Sequence, residues 1–189
     1  MNIFVLDRDA KKAAQMQCDK HVVKMIVETC QMLSAVMDNN YSPLYSGNDN
    51  LKPSERFGTA GYPKAHIKHP CTMWTMQSKG NYKWLIKHLR ALCVEYSNRY
   101  NKVHSCEGQL SIFEAQMEYM TFPSDRRTAF VQAMPDKYKD KDPVKAYHNY
   151  YNMDKFTFAK WKNSSKPKWF VGAPTYTVTL EDNYAALLD

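Results

Sequence analysis

Three side chains that could carry acid–base and nucleophilic chemistry lie close together in the first part of the chain: His21, Lys24 and Glu28. On an α-helix, at about 100° per residue, a seven-residue step returns to within roughly 20° of its start. His21 and Glu28 therefore point the same way, with Lys24 to one side, at the margin of an apolar arc. Burial raises the pKa of carboxylic acids and lowers that of amines, so both groups become useful near neutral pH.

The same pattern also has a purely structural interpretation. A lysine and a glutamate four residues apart are common on exposed helix surfaces, where the pair is worth only tenths of a kcal/mol. A single histidine at the edge of a core is usually structural. Further along the chain, His88 and Glu95 repeat the seven-residue spacing, with Arg99 one turn beyond. Spacing alone therefore leaves both interpretations open.

The distribution of charge favours an anionic partner. The net charge is +7, and residues 64–104 carry eight basic residues against Glu95 alone. Residues 137–168 carry nine lysines against three aspartates. Two basic segments suggest a positive surface, and phosphate is the commonest reason for one. We therefore expect DNA or nucleotides as partners, although a soluble basic protein with scattered lysines has the same composition.

Aromatic and polar residues within these segments are candidates for nucleic-acid binding. Asn81 can offer a paired donor and acceptor to a base edge, although packing and helix capping explain the cluster around it equally well. Lysines can neutralise phosphates while flat rings stack on bases. We expect Phe156, Phe158 and Phe170 in the core. The candidate nucleic-acid-binding residues are Trp74, Ser78, Asn81, Lys83, Lys87, Arg90, Lys160, Trp161, Lys162, Lys168 and Trp169.

The order of apolar runs and helix caps predicts one mainly helical domain, residues 1–189, with two short strands that could pair. Asp7 or Asp9 can cap the first helix, and Pro70 suits the first position of the second, with Gly80 bending or interrupting it. Ser78 could cap the second half of that helix, and Asp142 can cap the last one. Residues 38–69 form an irregular connection long enough to be a binding loop. The predicted elements are a strand at 2–6, a helix to about 37, helices at 70–100, 109–120 and 143–151, and a strand at 175–180.

The sequence also excludes several classes of protein. It contains no GxxxxGK[ST], GxGxxG, GxSxG or HExxH motif, which argues against P-loop enzymes, Rossmann dehydrogenases and common hydrolases. No run is long and apolar enough to span a bilayer, and the first residues do not resemble a signal peptide. Five scattered cysteines without a CxxC pair suggest reduced thiols in a cytosol-like compartment.

A metal site can be assembled on paper, but its pattern is unusual. Cys18 and His21 have a tolerable CxxH spacing, whereas the close pair His69 and Cys71 does not match a usual zinc finger. We therefore expect no metal and no cofactor.

The ordering of parts resembles the pyrimidine-dimer DNA glycosylases of phages. In that family a very short N-terminal segment precedes a helix with an essential glutamate, and a histidine lies seven residues before it. His21 and Glu28 match this pair, residues 69–100 resemble the family's later helix, and residues 147–151 resemble its aromatic C-terminal segment. Segments 134–138 and 142–147 also look like a little-characterised phage protein group, to which no activity can be attached.

The resemblance implies a DNA glycosylase, with AP-lyase activity as a second step, that acts on damaged or modified bases in the cytoplasm of a host cell. The family uses an N-terminal amine as nucleophile at the sugar C1′ of a flipped or kinked nucleotide. It exposes a small second residue by removing the first methionine, and Asn2 departs from that pattern. The nucleophile would then be the amine of Met1, or Lys24 in its place. The implied catalytic residues are Glu28, His21, Lys24 and Met1.

Two other classes remain open. One is a non-enzymatic phage protein of counter-defence type that binds nucleotides or nucleic acid. The other is a structural DNA-associated protein with an incidental stripe of polar residues. Glu28 distinguishes the glycosylase from a nucleotide binder, because catalysis needs a carboxylate beside an amine, whereas a phosphate-binding site should avoid a carboxylate.

Overall fold

The computed structural model describes residues 1–45, 50–60 and 66–172. Within these residues the chain is mainly helical, as predicted, and 3-10 turns lie at Pro43–Tyr45, Met117–Tyr119, Asp136–Tyr138 and Lys155–Thr157. The helices are α1 (Ala10–Met16), α2 (Asp19–Asn40), α3 (Pro53–Arg56), α4 (Pro70–Met76), α5 (Lys79–Tyr100), α6 (Gln109–Gln116) and α7 (Pro143–Met153).

Two helices of 22 residues, α2 and α5, form the centre of the fold. They pack against each other, α1 lies along α5, and α4 contacts both. Their apolar faces supply much of the core, and each such side chain contributes roughly 1.5–3 kcal/mol by leaving water. Among the fully buried core residues are Val22, Ile26, Leu33, Leu85, Leu89 and Leu92.

The predicted first helix is two helices, separated by a break at Gln17 and Cys18. Asp9 caps α1 by accepting a hydrogen bond from the Lys12 amide at 2.9 Å. Gln17 and Cys18 then adopt extended backbone conformations. The guanidinium of Arg99 donates to the Gln17 carbonyl at 2.9 Å. A charged donor thus satisfies a carbonyl at the end of α1, which stabilises the break.

The second predicted helix is also divided, but at Ser78 rather than at Gly80. The Ser78 hydroxyl caps α5 by accepting from the Asn81 amide at 2.9 Å, as the sequence predicted. Gly80 lies inside the first turn of α5. A Cβ atom there would lie 2.4 Å from the backbone nitrogen of Arg127. The glycine is therefore needed for close approach of another chain segment, not for a bend.

The predicted strand at residues 2–6 does not form. The segment is buried, but no strand pairs with it among the residues that the structure describes. The Asn2 side chain instead accepts from the amides of Ile3 and Phe4, and Phe4 has a φ of 36°. A short apolar run indicates burial but does not distinguish a strand from an irregular buried segment. The predicted strand at 175–180 lies outside the described residues.

The starts of α4 and α7 agree with the predictions, whereas α3 lies within residues 38–69, which were predicted to be irregular. Pro70 begins α4, and Asp142 caps α7 by accepting from the Val144 amide. The predicted helix at 109–120 ends as α6 at Gln116 and continues as a 3-10 turn. No helix within the described parts of the chain is long and apolar enough to cross a membrane.

Candidate active site

The most distinctive polar arrangement is a carboxylate between two amines, which we call the amine–carboxylate cluster: Met1, Lys24 and Glu28. The α-amine of Met1 lies 3.3 Å from Glu28 Oε2. Lys24 Nζ lies 3.3 Å from Glu28 Oε1. The Glu28 side chain is 11% exposed, whereas that of Lys24 is 69% exposed. One partner of the carboxylate is therefore held by the fold, and the other extends into water.

Met1 is fixed by its own side chain and by its neighbour. The Met1 side chain is 2% exposed, and the Thr72 hydroxyl donates to its sulfur at 3.5 Å. Asn2 is buried, and its side-chain amide donates to the Ala133 carbonyl at 2.8 Å. Because Met1 as a whole is partly exposed, its accessible surface belongs to the main chain, which includes the α-amine.

One oxygen of Glu28 has an unusual environment. Oε2 is buried and has no hydrogen-bond partner, although the Met1 amine lies at ion-pair distance. The contact of Oε2 is therefore an ion pair with the Met1 amine that lacks the geometry of a hydrogen bond. Gln17 Oε1 and Thr29 Oγ1 are also buried without a hydrogen bond, so this feature alone does not mark a functional site. What distinguishes Oε2 is the amine beside it.

His21 shares the face of α2 with Glu28 but makes different contacts. Its ring stacks on Phe4 with centroids 4.1 Å apart, and Nδ1 is hydrogen-bonded to the Tyr151 hydroxyl. Burial, then the charges of Lys155 and Lys24, lower the pKa of His21 to about 3. The imidazole is therefore neutral at neutral pH. Its contacts position the N-terminal segment.

His69 lies near the cluster, where no role was predicted for it. It precedes α4, and its Nδ1 accepts from the Cys71 amide at 3.1 Å. Burial lowers the pKa of His69, as does the charge of the Met1 amine, whereas Glu28 raises it. Both groups are thus close enough to influence the imidazole. A histidine directly before Pro70, after a long irregular connection, is the signal that could have identified it.

The candidate zinc ligands Cys18, His21, His69 and Cys71 do not come together as a metal site. Among the residues that the structure describes, no three histidine, cysteine, aspartate or glutamate side chains converge in a way that could hold a metal ion. The Cys18 thiol instead lies against the Tyr151 hydroxyl in the core.

Three of the predicted nucleic-acid-binding residues are buried: Trp74, Ser78 and Asn81. Trp74 Nε1 donates to the Ala129 carbonyl at 2.8 Å. The Asn81 side chain donates to Thr128 Oγ1 and accepts from the Thr128 amide. The donor and acceptor that could have read a base are used inside the protein, and these side chains do not reach the surface.

The predicted basic residues of α5 do reach solvent. Lys83, Lys87 and Arg90 are all exposed, and Arg90 is paired with Glu114. None of them contributes an ion pair to the amine–carboxylate cluster. The structure therefore separates the positive surface of α5 from the cluster on α2.

In the later basic segment, Lys160, Lys162 and Lys168 are exposed, while the two tryptophans are half-buried. Trp161 Nε1 donates to the Met16 carbonyl at 3.0 Å. Trp169 stacks on His148 with centroids 3.8 Å apart. Both rings fasten this segment to the helices, with part of each ring open to solvent.

The three phenylalanines of that segment, predicted in the core, differ in their burial. Phe170 is buried, as predicted. Phe158 is half-buried and lies edge-on to His21, with Lys20 above its ring. Phe156 is 38% exposed, so its prediction is wrong. It lies in a single 3-10 turn, Lys155–Thr157, in which Thr157 is exposed as well.

The second histidine–glutamate pair, on α5, lies in the interior. His88 Nδ1 donates to the Ala10 carbonyl at 3.0 Å, which fixes the tautomer, and Nε2 accepts from Gln17 at 3.0 Å. Glu95 pairs with Arg99 at 3.3 Å. Arg99 also bonds Asp19 at 3.0 Å. These residues connect α1, α2 and α5, and their polar groups face one another.

An amine held beside a carboxylate is the pair that imine-forming enzymes use. Residues 1–108 match the family described as pyrimidine dimer DNA glycosylase. The match covers more than half of the 189 residues, and the chain belongs to this family. No curated protein and no solved structure matches the chain. The resemblance seen in the sequence is thus confirmed.

The matched range contains the whole amine–carboxylate cluster together with His69. Residues after 108 nevertheless support the site, since Ala133 holds Asn2 and Tyr151 holds His21. The candidate site is therefore built from the family region and completed by a segment beyond it.

Proposed function

We propose that the protein is a DNA glycosylase with AP-lyase activity that acts on pyrimidine lesions, with the Met1 α-amine as nucleophile and Glu28 as the proton-transfer group. The observation that carries this proposal is the 3.3 Å separation of the Met1 amine from Glu28 in a chain of the pyrimidine dimer glycosylase family. That family implies DNA as the substrate.

The reaction needs an unprotonated amine, and we propose that Glu28 Oε2, 3.3 Å away, takes its proton. The lone pair of the amine forms a bond to C1′ as the bond from C1′ to the base breaks. The base leaves with the bonding electrons and takes up a proton, and the attacking nitrogen loses one of its two protons. The C1′–O4′ bond then breaks, O4′ takes up a proton, and the nitrogen lone pair forms the C1′=N bond of a protonated imine. Loss of a C2′ proton to a base finally breaks the C3′–O bond and expels the 3′-phosphate.

Met1 is a better nucleophile than Lys24 on two grounds. An α-amine has an ordinary pKa near 8, so a larger share of it is unprotonated at neutral pH than of a lysine side chain. The amine of Met1 is also held in place by a buried side chain, whereas the Lys24 side chain is 69% exposed. An ordered nucleophile needs less loss of freedom to reach the attacking geometry.

The surroundings of the cluster suit a polyanion. Lys20, on α2 with the cluster, lies above the Phe158 ring at 5.0 Å from its centroid. Lys24 adds a further exposed cation, whereas Lys155 is paired with Asp154 at 2.7 Å. We propose that Lys20 and Lys24, with Lys160, Lys162 and Lys168, contact phosphates. Each neutralised phosphate would add roughly 0.9 to the slope of log affinity against log salt.

The proposal is tested by trapping the imine. A duplex oligonucleotide with one cyclobutane pyrimidine dimer is incubated with the protein and borohydride, and the adduct is mapped by peptide mass spectrometry. We expect a covalent adduct at residue 1 in the wild type and none in Glu28→Gln. Glu95→Gln is the matched control, because it changes a glutamate at the equivalent place on α5, and it should still trap.

Three outcomes would contradict the proposal, in part or as a whole. Trapping at Lys24 would support the glycosylase activity but assign the nucleophile to Lys24 instead of Met1. Cleavage of the dimer without any adduct would mean that water, not an amine, attacks the sugar. A protein that binds the oligonucleotide but never cleaves it would favour the non-enzymatic alternative.

A further inference from the structure

A cleft of about 480 Å³ lies between α1 and α5, and none of its lining residues belongs to the amine–carboxylate cluster. Its apolar lining comes from Ala10, Trp84, Ala91 and Val94. Val94 is 51% exposed, so this apolar surface is open to solvent. An exposed apolar cleft of this size is large enough for a nucleotide-sized ligand.

Basic side chains from both helices surround the apolar lining: Arg8, Lys11, Lys87 and Arg90. The two arginines are already paired, Arg8 with Asp142 and Arg90 with an acid on α6. Lys11 and Lys87 are exposed, and neither forms an ion pair with any other residue in the described ranges. Two positive charges are thus left over at the rim.

Two acids also line the cleft. Glu95 pairs with Arg99, whereas Asp9 caps α1 through a backbone hydrogen bond and has no ion pair in the described ranges. Four basic side chains against two acids still give the lining an excess of positive charge, beside the apolar surface. Its ligand should carry a flat apolar group and at least one negative charge. A nucleotide has both.

We propose that this cleft is a second nucleotide-binding site, in which a base lies on the surface formed by Ala91 and Val94 and a phosphate lies between Lys11 and Lys87. The ligand is either one nucleotide unit of a nucleic-acid chain or a free nucleotide. The site goes beyond the proposed function, because it requires neither the Met1 amine nor Glu28. Its presence on another helix pair gives the protein two places to hold nucleotides at once.

The test observes the cleft directly, since DNA bound at the cluster would confuse an affinity measurement. Full-length protein is labelled with 5-fluorotryptophan, and the Trp84 fluorine resonance is assigned by comparison with Trp84→Phe. We expect this resonance to move when thymidine monophosphate or a 5′-phosphorylated pentathymidylate is added. A shift with both probes indicates a free nucleotide site, and a shift with the pentamer alone indicates a nucleic-acid chain.

Variants then distinguish binding in the cleft from a general effect of positive charge on affinity. The double variant Lys11→Glu, Lys87→Glu should bind the nucleotide probe at least tenfold more weakly in the titration. The control, Lys12→Glu with Lys102→Glu, makes the same charge change on α1 and directly after α5, outside the cleft, and it should stay within threefold of wild type. Val94→Phe narrows the cleft without changing charge, and it should also weaken binding at least tenfold.

The proposal is overturned if the control variant loses as much affinity for the nucleotide probe as the cleft variant. It is equally overturned if Val94→Phe binds the probe as tightly as the wild type. It is also overturned if polyglutamate moves the Trp84 resonance while both nucleotide probes leave it in place, which would indicate an acidic protein partner. Trapping of the imine at Met1 is independent of every one of these results. Failure of this proposal is therefore distinguishable from failure of the proposed glycosylase.

Discussion

Two helices of this protein carry a histidine and a glutamate seven residues apart, and the surroundings of the two pairs differ. On α2, His21 and Glu28 face the N-terminal segment, and the carboxylate meets the Met1 amine with one oxygen lacking a hydrogen bond. On α5, His88 and Glu95 face α1, where the imidazole is bonded at both nitrogens and the carboxylate pairs with a buried arginine.

The comparison shows that spacing places two side chains on a face but does not decide what they do. That is decided by the element packed against the face. Along α5 the neighbour is a helix whose terminal carbonyls need donors, and Arg99 supplies them. Along α2 the neighbour is the amine of Met1, whose main chain reaches solvent. The carboxylate there is paired with amines rather than with a buried guanidinium.

The largest expected effect concerns the α5 pair. Arg99→Met leaves Glu95 and Asp19 without their buried cation and exposes the break between α1 and α2. Removing one partner of a buried ion pair costs about 3–5 kcal/mol. Urea unfolding should show this loss. Arg90→Met removes an exposed arginine from the same helix and should cost under about 1 kcal/mol; equal losses would mean that the α5 pair does not hold the helices together.

The next effect concerns the α2 pair and is a loss of activity. Glu28→Gln keeps the shape of the side chain but removes the proton-transfer group. Single-turnover cleavage should fall by about 10²-fold or more, equivalent to roughly 2.7 kcal/mol in the barrier, while the protein stays folded. Glu95→Gln should do the reverse, with lower stability and near-normal cleavage by the folded fraction. An active Glu28→Gln enzyme would remove Glu28 from the mechanism.

The third effect is a dependence of stability on pH, because both histidines are buried; His88 gives the clearer case. Burial lowers the pKa of His88 to about 4, although its bond to Ala10 opposes the shift. The unfolded chain takes up this proton near pH 6.5, so stability is full above that pH and declines as the pH falls towards 4. His88 should contribute a loss of about 2 kcal/mol between pH 8 and pH 5.

The measurement is urea unfolding of the wild type and of His88→Gln at both pH values. The variant is less stable at pH 8, but its stability should depend less on pH, by about 2 kcal/mol. An unchanged dependence would mean that His88 is protonated as easily in the folded protein as in the unfolded chain.

The smallest effect is expected at Lys24, the exposed partner of Glu28. Lys24→Gln should change stability by under about 1 kcal/mol, because exposed ion pairs are weak. If this lysine meets a phosphate, the slope of log affinity against log salt should fall by roughly 0.9. Lys145→Gln removes a lysine of similar exposure from its pair with Asp140, and that slope should stay the same. Equal slopes in the two variants would exclude a phosphate contact at Lys24.

Local signals predicted the helix starts well. Asp9, Ser78 and Asp142 each cap a helix with their own side chain, and Pro70 occupies a first position. The break before α2 was not predictable in this way. It depends on Arg99, which lies 82 residues away from the carbonyl that it binds.

The candidate site was predicted in part. Glu28 and Lys24 were identified because helical spacing brings them to one face, and the proximity of Met1 followed only from the resemblance. The environment of His69 depends on how α4 packs against Met1, which no local pattern reveals. Asn81 was assigned to the surface because a sequence does not reveal that Thr128 satisfies its amide.

The hydrogen bond from Asn2 to the Ala133 carbonyl bears on the order in which the site is assembled. Ala133, which holds Asn2, and Tyr151, which holds His21, are synthesised long after the segment that they fix. These two contacts can form only when the later part of the chain packs against the earlier part, whereas the contact of Thr72 with the Met1 side chain needs none of it. The N-terminal segment is therefore held from both parts of the chain, and its last restraints come from residues beyond the matched family region.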